Sequence, residues 1–207
     1  MEYTEVVRKR RMVRNYDPDQ PVPRAVLTEL LELAIRAPSA GFSQGWHFLV
    51  LDDAADRAAF WAATTEESDP EPDPWLLGMQ SAPALIIAMS DKKAYLDRYA
   101  APDKGWTDRD EAHWPVPYWD IDTGMASLLI LLGAVDRGLA GCFFGVPAEA
   151  HGQVKQAFSI PDRLSLVGVI SLGHPAPDRR SPSLKRGRRP VAEVASFGRM
   201  QAEPTEG

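Results

Sequence analysis

Nine of the 23 lysines and arginines stand in two groups near opposite ends of the chain: Arg8, Lys9, Arg10, Arg11 and Arg14 in one, Lys185, Arg186, Arg188 and Arg189 in the other. A solvated basic patch explains either group taken alone. The pair suggests more. If a helix capped by Thr4 runs far enough, Arg10 and Arg14 fall on one face at i,i+4, where like charges repel. An anion between them relieves that repulsion, and guanidinium forks suit phosphate especially well. Other reactive residue types do not assemble. Cys142 is alone in an apolar segment and reads as a small buried hydrophobe rather than a reactive thiol. His47, His113, His151 and His174 show no paired metal-ligand spacing, so zinc is not expected, and His47 reads as a structural residue in a strand. No glycine-rich dinucleotide fingerprint is present.

Composition narrows the ligand. The chain has 207 residues, 44% apolar and 25% charged, the balance of a globular domain with a real core. With 29 acids against 23 Lys and Arg, the net charge of −6 opposes general binding to nucleic acid. A small phosphorylated ligand fits an acidic protein better. One cysteine makes no internal disulfide, and residues 1–14 are too rich in Glu and Arg for a signal peptide, so a cytoplasmic location is expected. The densest apolar run, residues 125–135, is well short of the roughly 20 residues that cross a bilayer.

The elements that must carry these residues alternate between helix and strand, which gives an α+β or α/β layer fold. Residues 4–12 read as a helix, stopped by a turn over 17–23 with three prolines. Pro23 then suits the first turn of a helix with Leu27, Leu30, Leu31 and Ala34 as its apolar stripe. Residues 39–45 form a loop of small and polar residues, 47–51 a strand, 54–63 a helix, 66–73 a solvated acidic loop and 83–89 a buried strand. The segment 90–120 holds Trp106, Trp114, Tyr118 and Trp119 and reads as an excursion whose rings either line a pocket or pack on the parent domain. Residues 121–137 form a helix apolar all round over 128–132, which calls for burial on every side, as in a subunit interface. Strands at 141–146 and 164–172 flank a helix near 148–158. Residues 175–200 are expected to be an extended arm that docks on a surface, and 201–207 a loose tail, leaving 1–200 as a single domain.

Several segments, in order, resemble the nitroreductase family of FMN-dependent oxidoreductases. Residues 10–16, Arg-Arg-Met-Val-Arg-Asn-Tyr, are similar to its Arg-Arg-Ser-x-Arg-x-Phe motif. Residues 37–48, Ala-Pro-Ser-Ala-Gly-Phe-Ser-Gln-Gly-Trp-His-Phe, are similar to its Ala-Pro-Ser-x-x-Asn-x-Gln-Pro-Trp-x-Phe motif, the most specific of the set. Residues 126–145, 173–176 and 188–191 resemble its core helix and strand and its carboxy-terminal signature. The resemblance implies an α+β sandwich with a central, mostly antiparallel sheet flanked by helices, in an intertwined homodimer with FMN at the interface. It also implies hydride transfer from NADH or NADPH through flavin N5 to a nitroaromatic, quinone or similar small aromatic acceptor, with no nucleic acid or membrane partner. No catalytic side chain is implied, because the flavin carries the chemistry. Arg10, Arg11, Met12 and Arg14 correspond to flavin and phosphate contacts, Arg14 also favouring a reduced, anionic ring. Pro38, Ser39, Ala40 and Phe42 correspond to contacts with the partner's flavin. Phe143, Phe144 and Gly145 would lie along the ring through backbone groups, and Arg186 and Arg188 would close on the phosphate. Met12, Phe42 and Gly45 depart from the family's Ser, Asn and Pro, and the first two remove polar side chains. A flavin-binding protein with a specialised reaction, such as dehalogenation or flavin fragmentation, or with little turnover, is the alternative. The 90–120 excursion is then expected near the active site as a lid that selects the acceptor.

Overall fold

The computed structural model describes residues 1–65, 73–177 and 181–200. Four strands, β1 (Trp46–Leu51), β2 (Ala84–Asp91), β3 (Ala140–Phe144) and β4 (Leu164–Gly173), form one antiparallel sheet in the order β1-β2-β4-β3. The α+β expectation holds, with helices on both faces of this sheet. All eight residues of β2 are buried, so neither face of the sheet's centre meets water. Ala84 and Ile86 enter one core with α2 (Arg24–Ala34) and α6 (Tyr118–Asp136); Leu85, Ile87 and Met89 enter the other with α3 (Ala54–Thr64) and α7 (His151–Ala157). This is the two-residue period of a strand divided between two cores. A bulge between Ala88 and Met89 leaves Val167 of β4 without a partner. It reverses the parity of β4: Ile170 and Leu172 face the first core, while Leu164 and Leu166 join Val169 in the second.

Helix signals act locally in three helices. Asp53 caps α3 by accepting from the Ala55 amide, and Asp73 caps α4 (Pro74–Gln80) by accepting from Leu76, with Pro74 at the first turn. Leu27, Leu30 and Ala34 are the buried stripe of α2. Cys142 is buried, as read.

Three expectations change. Helix α1 (Tyr3–Lys9) starts at Glu2, whose side chain makes no cap, and ends before Arg10, so Thr4 is not the cap and Arg10 and Arg14 share no helix face. Instead the chain turns extended at Arg10 and joins the sheet beside β3, with Val13 donating to the Gly141 carbonyl at 3.2 Å. Helix α6 has the length and apolarity to cross a membrane, yet it packs against all four strands and α2. It is not buried on every side within one chain: Ile121 is 42% and Leu128 47% exposed. The arm holds a 3-10 turn over Pro182–Arg186 and a short α8 (Val191–Val194), with Leu184, Val191, Val194 and Phe197 exposed. The acidic loop, apart from Asp73, and the tail lie outside the described residues.

The Trp-rich excursion resolves toward packing. The rings of Tyr99, Trp106 and Trp114 stand 4.5 to 5.6 Å apart, and Trp114 reaches Tyr95 and Trp119 at 5.9 and 6.0 Å.

Candidate functional site

One cavity takes all five cations of the first basic group and one of the second, Arg188. It has a volume of about 590 Å³, and α1 with the extended segment after it supplies Arg8, Lys9, Arg10, Arg11, Met12 and Arg14. The arm supplies Ser181, Ser183, Leu184, Gly187 and Arg188 from the other side. Arg186 does not line it, and Arg189 instead pairs with Glu193. No carboxylate stands among the lining residues, while Arg10 carries a buried Nη1 that has no hydrogen-bond partner. A buried guanidinium nitrogen left in this way costs free energy unless something accepts from it. An anionic oxygen entering the cavity would do so.

Packing sets where Arg14 sits. A Cβ at Gly78 of α4 would lie 2.1 Å from the Arg14 carbonyl oxygen. The helix can lie against this backbone only because residue 78 has no side chain. Met12 uses its thioether internally: its Sδ accepts from the Phe143 amide at 3.4 Å. The Phe143 ring fills the space over Gly168, where a Cβ would meet its Cζ at 2.3 Å. The Phe144 ring stacks on Trp61 at 5.8 Å and 8°. Neither ring is free to act as a ligand, and what remains at this strand end is backbone and Gly145, whose Cβ position is open.

The segment 38–42 stands apart from this cavity in the single chain. Its backbone is held from several sides. The Ala40 amide donates to Asp122 Oδ2 at 2.8 Å, and the Tyr95 hydroxyl donates to the same oxygen at 2.8 Å. Arg98 Nε donates to the Gly41 carbonyl at 2.9 Å, and the Gln44 amide to Ser39 Oγ at 3.1 Å. The bonds maintain positive φ at Gly41, Phe42 and Gln44, a conformation that costs the two non-glycine residues on the order of 1 kcal/mol each. Phe42 is left 75% exposed. Two glycines admit the face of α5 (Lys92–Tyr99): a Cβ at Gly41 would lie 2.6 Å from the Tyr99 ring, and one at Gly45 2.5 Å from that of Tyr95. The Gly45 departure therefore matches the tyrosine beneath it. Burial, and next the Asp122 carboxyl, push the Tyr95 phenol well above its ordinary value, so it stays a neutral donor.

The model of the nitroreductase family matches residues 7–174, from the last turn of α1 to the end of β4, and includes the first basic group and the segment held by Asp122. The chain belongs to the nitroreductase family. This nitroreductase-family chain is similar to the 4-nitrobenzoate reductase of Nocardioides sp. (strain LMS-CY), at 31% identity over 225 residues, covering 94% of the chain and 89% of the relative. It is also similar to the NADH dehydrogenase of Thermus thermophilus, at 28% over 193 residues, 84% of the chain and 89% of the relative. A protein of Exiguobacterium sibiricum 255-15, solved in complex with FMN, shares the fold with a TM-score of 0.73, 23% identity, and coverage of 95% and 97%. Sequence reading of this nitroreductase-family chain missed Tyr95 and Asp122. The available signal was Asp122, a carboxylate just ahead of the apolar run of α6, together with Gly45 where the family has proline.

Proposed function

We propose that the protein is an FMN-dependent oxidoreductase that uses NADH or NADPH to reduce a small aromatic acceptor, and that it works as a homodimer. The observation that carries this reading is the acid-free cavity with the buried, unpartnered Arg10 Nη1, formed by residues similar to the family's flavin motif. Those residues fit a phosphate-bearing cofactor. When bound, FMN supplies the redox chemistry, taking a hydride from the nicotinamide and passing electrons to the acceptor.

The protein's part is to bind and orient. Arg10, Arg11 and Arg188 would hold the phosphate, and Arg186, which does not line the cavity, would not. Arg14 supplies positive charge that favours an electron-rich ring. The backbone of 143–145 would face the ring, and Met12 supports that backbone by holding the Phe143 amide. Pro38, Ser39, Ala40 and Phe42 belong, in this reading, to the partner's site. The exposed Ile121 and Leu128 on α6, and separately the exposed apolar side chains of the arm, support a dimer that would cover them. Residues 1–200 then act as one domain in the cytoplasm, with the 90–120 excursion beside the site.

The purified protein is expected to be yellow and to bleach on anaerobic mixing with NADH or NADPH. Arg10→Ala removes a charged hydrogen bond and should weaken FMN retention roughly 10- to 100-fold, whereas Arg36→Ala should leave it within twofold. Equal retention in both variants would refute the site. A flavoprotein of specialised reaction or little turnover is the second reading, favoured by the Met12 thioether occupying the Phe143 amide and by Phe42 in place of a polar residue. Flavin that binds yet resists both nicotinamides would establish that one.

A further inference from the structure

The aromatic cluster of the excursion holds more than packing requires. Tyr95, Tyr99, Trp106, Trp114, Tyr118 and Trp119 take three of the five tyrosines and three of the six tryptophans of the chain. None of its seven phenylalanines joins them by a ring contact among the described residues, whereas the second aromatic group, around Phe144, mixes Phe60 with Trp61 and Trp75. Phenylalanine fills an apolar core as well as either and brings no polar atom to satisfy. Trp114 shows the penalty: it is half-buried, and its Nε1 is enclosed without a hydrogen-bond partner among the described residues. The property that tyrosine and tryptophan share, and phenylalanine lacks, is a ring that gives up one electron readily.

The rings form one connected path. Trp114 is its hub, with centroids 4.5 Å from Tyr99, 5.6 Å from Trp106, 5.7 Å from Tyr118, 5.9 Å from Tyr95 and 6.0 Å from Trp119. At the inner end Tyr95 is fully buried and donates its hydroxyl to Asp122 Oδ2 at 2.8 Å. A phenol that loses an electron becomes a strong acid, and this hydrogen bond leads its proton to the carboxylate. The pair then changes from a phenol and a carboxylate to a tyrosyl radical and a carboxylic acid, which leaves one charge fewer in the interior. At the outer end Tyr118 is 38% exposed, and water takes its proton. The side branches are guarded by cations: Lys92 lies over Trp119 at 5.7 Å and Lys104 over Tyr99 at 5.0 Å, and a cation facing a ring opposes removal of an electron from it. Trp114 has no base at Nε1, so its radical cation keeps its proton and passes the charge on. The favoured route is Tyr95, Trp114, Tyr118.

We propose that Tyr95, Trp114 and Tyr118 form a conduit for single electrons between the buried Tyr95–Asp122 pair and the protein surface. Its co-reactants are an oxidising radical at the inner end and a soluble one-electron reductant, such as ascorbate, at the outer end. A radical formed beside the loop 39–45, whose Gly45 packs on the Tyr95 ring, takes one electron from Tyr95 and becomes its anion, while the phenolic proton passes to Asp122. Trp114 then reduces Tyr95, which recovers its proton from Asp122, and Tyr118 reduces Trp114 and releases its own proton to water. The reductant returns one electron to Tyr118, with a proton from water. The net reaction moves one electron from reductant to radical and leaves the protein unchanged. None of these steps uses a flavin, so the conduit stands apart from the oxidoreductase reading.

The probe is azide radical, a one-electron oxidant of accessible aromatic rings, applied to the purified protein and read by freeze-quench electron paramagnetic resonance. A Trp75→Phe background removes the exposed tryptophan outside the cluster. The oxidant enters at the outer end, and each step runs in reverse through the same rings. A tyrosyl signal should settle on Tyr95, identified by its loss in Tyr95→Phe. Trp114→Phe keeps an aromatic ring and removes the unpartnered N–H, so it should fold, yet it should lower the yield of the Tyr95 radical at least fivefold. Asp122→Asn keeps an acceptor for the Tyr95 hydroxyl but takes up no proton, and it should lower the yield to a similar extent. Tyr118→Phe should slow the reduction of the Tyr95 radical by ascorbate at least threefold. A Tyr95 radical formed in equal yield in Trp114→Phe overturns the relay, and one formed equally in Asp122→Asn overturns the proton step. An unchanged ascorbate rate in Tyr118→Phe overturns the outer end. No Tyr95 signal in the Trp75→Phe protein overturns the conduit and leaves the cluster as packing alone.

Discussion

Gly78→Ala should lower both stability and flavin retention, although alanine is the better helix former by about 1 kcal/mol. The reason is steric. The new Cβ would lie 2.1 Å from the Arg14 carbonyl oxygen and 3.2 Å from its carbon, both backbone atoms with no rotamer to escape into. Relief requires α4 to lift or the 14–15 segment to shift, and overpacking of this kind costs about 3 kcal/mol. The net loss is about 2 kcal/mol, a drop in Tm of roughly 4–8 °C for a chain of this size. Arg14 moves with its backbone, so FMN retention should fall by more than the stability loss explains under conditions where the variant is fully folded. Gly152→Ala is the control: its Cβ position in α7 is open, and the change should be neutral or stabilising. Thermal melts with visible absorbance check both, and a Gly78→Ala protein as stable as the wild type would contradict the close approach.

The second large effect is expected at the Tyr95–Asp122 pair. Asp122 is 1% exposed, and one of its oxygens receives both the Tyr95 hydroxyl and the Ala40 amide. Tyr95→Phe leaves that carboxylate short of a donor and should cost about 1–3 kcal/mol. Asp122→Ala strands two buried donors and should cost more, whereas Asp122→Asn keeps an acceptor and should recover much of the difference. Because the strained backbone at Phe42 and Gln44 depends on these bonds, hydrogen exchange in 39–44 should accelerate in Asp122→Ala beyond any global change. The pH dependence has a definite sign. The folded phenol titrates above the unfolded one, so its contribution is complete below about pH 10, the unfolded value, and is lost as pH rises beyond it. Tyr95→Phe should remove that alkaline loss, and an unchanged alkaline slope would show that Tyr95 is not its source.

Legibility followed the range of the interaction. Caps, turns and apolar stripes act over a few residues, and the helices 24–34 and 54–64 and the buried strand at 84–91 were visible for that reason. The end of α1 was not. Periodicity favours its continuation, but the bond from Val13 to Gly141, 128 residues away, draws the chain into the sheet edge. The Trp-rich excursion was ambiguous because aromatic residues serve pockets and cores equally well, and only the ring contacts distinguish the two. Phe143 and Phe144 carried the right motif, yet their rings are taken up by Gly168 and Trp61.

By itself the amino-acid sequence determined the inventory: an acidic chain with cations gathered near its two ends, no metal spacing, no nucleophile, and family motifs in order. These are properties of residue type and short spacing, which survive without coordinates. Tertiary structure decided that Arg188 of the second cationic group borders one cavity with the first, that Arg10 Nη1 is buried there without a hydrogen-bond partner among the described residues, and that Asp122 reaches Ala40 across 82 residues. Such approaches are set by where backbones can touch. Gly45 and Gly78 permit two of them through the absence of a single carbon atom, and no local pattern reveals what lies opposite that missing atom.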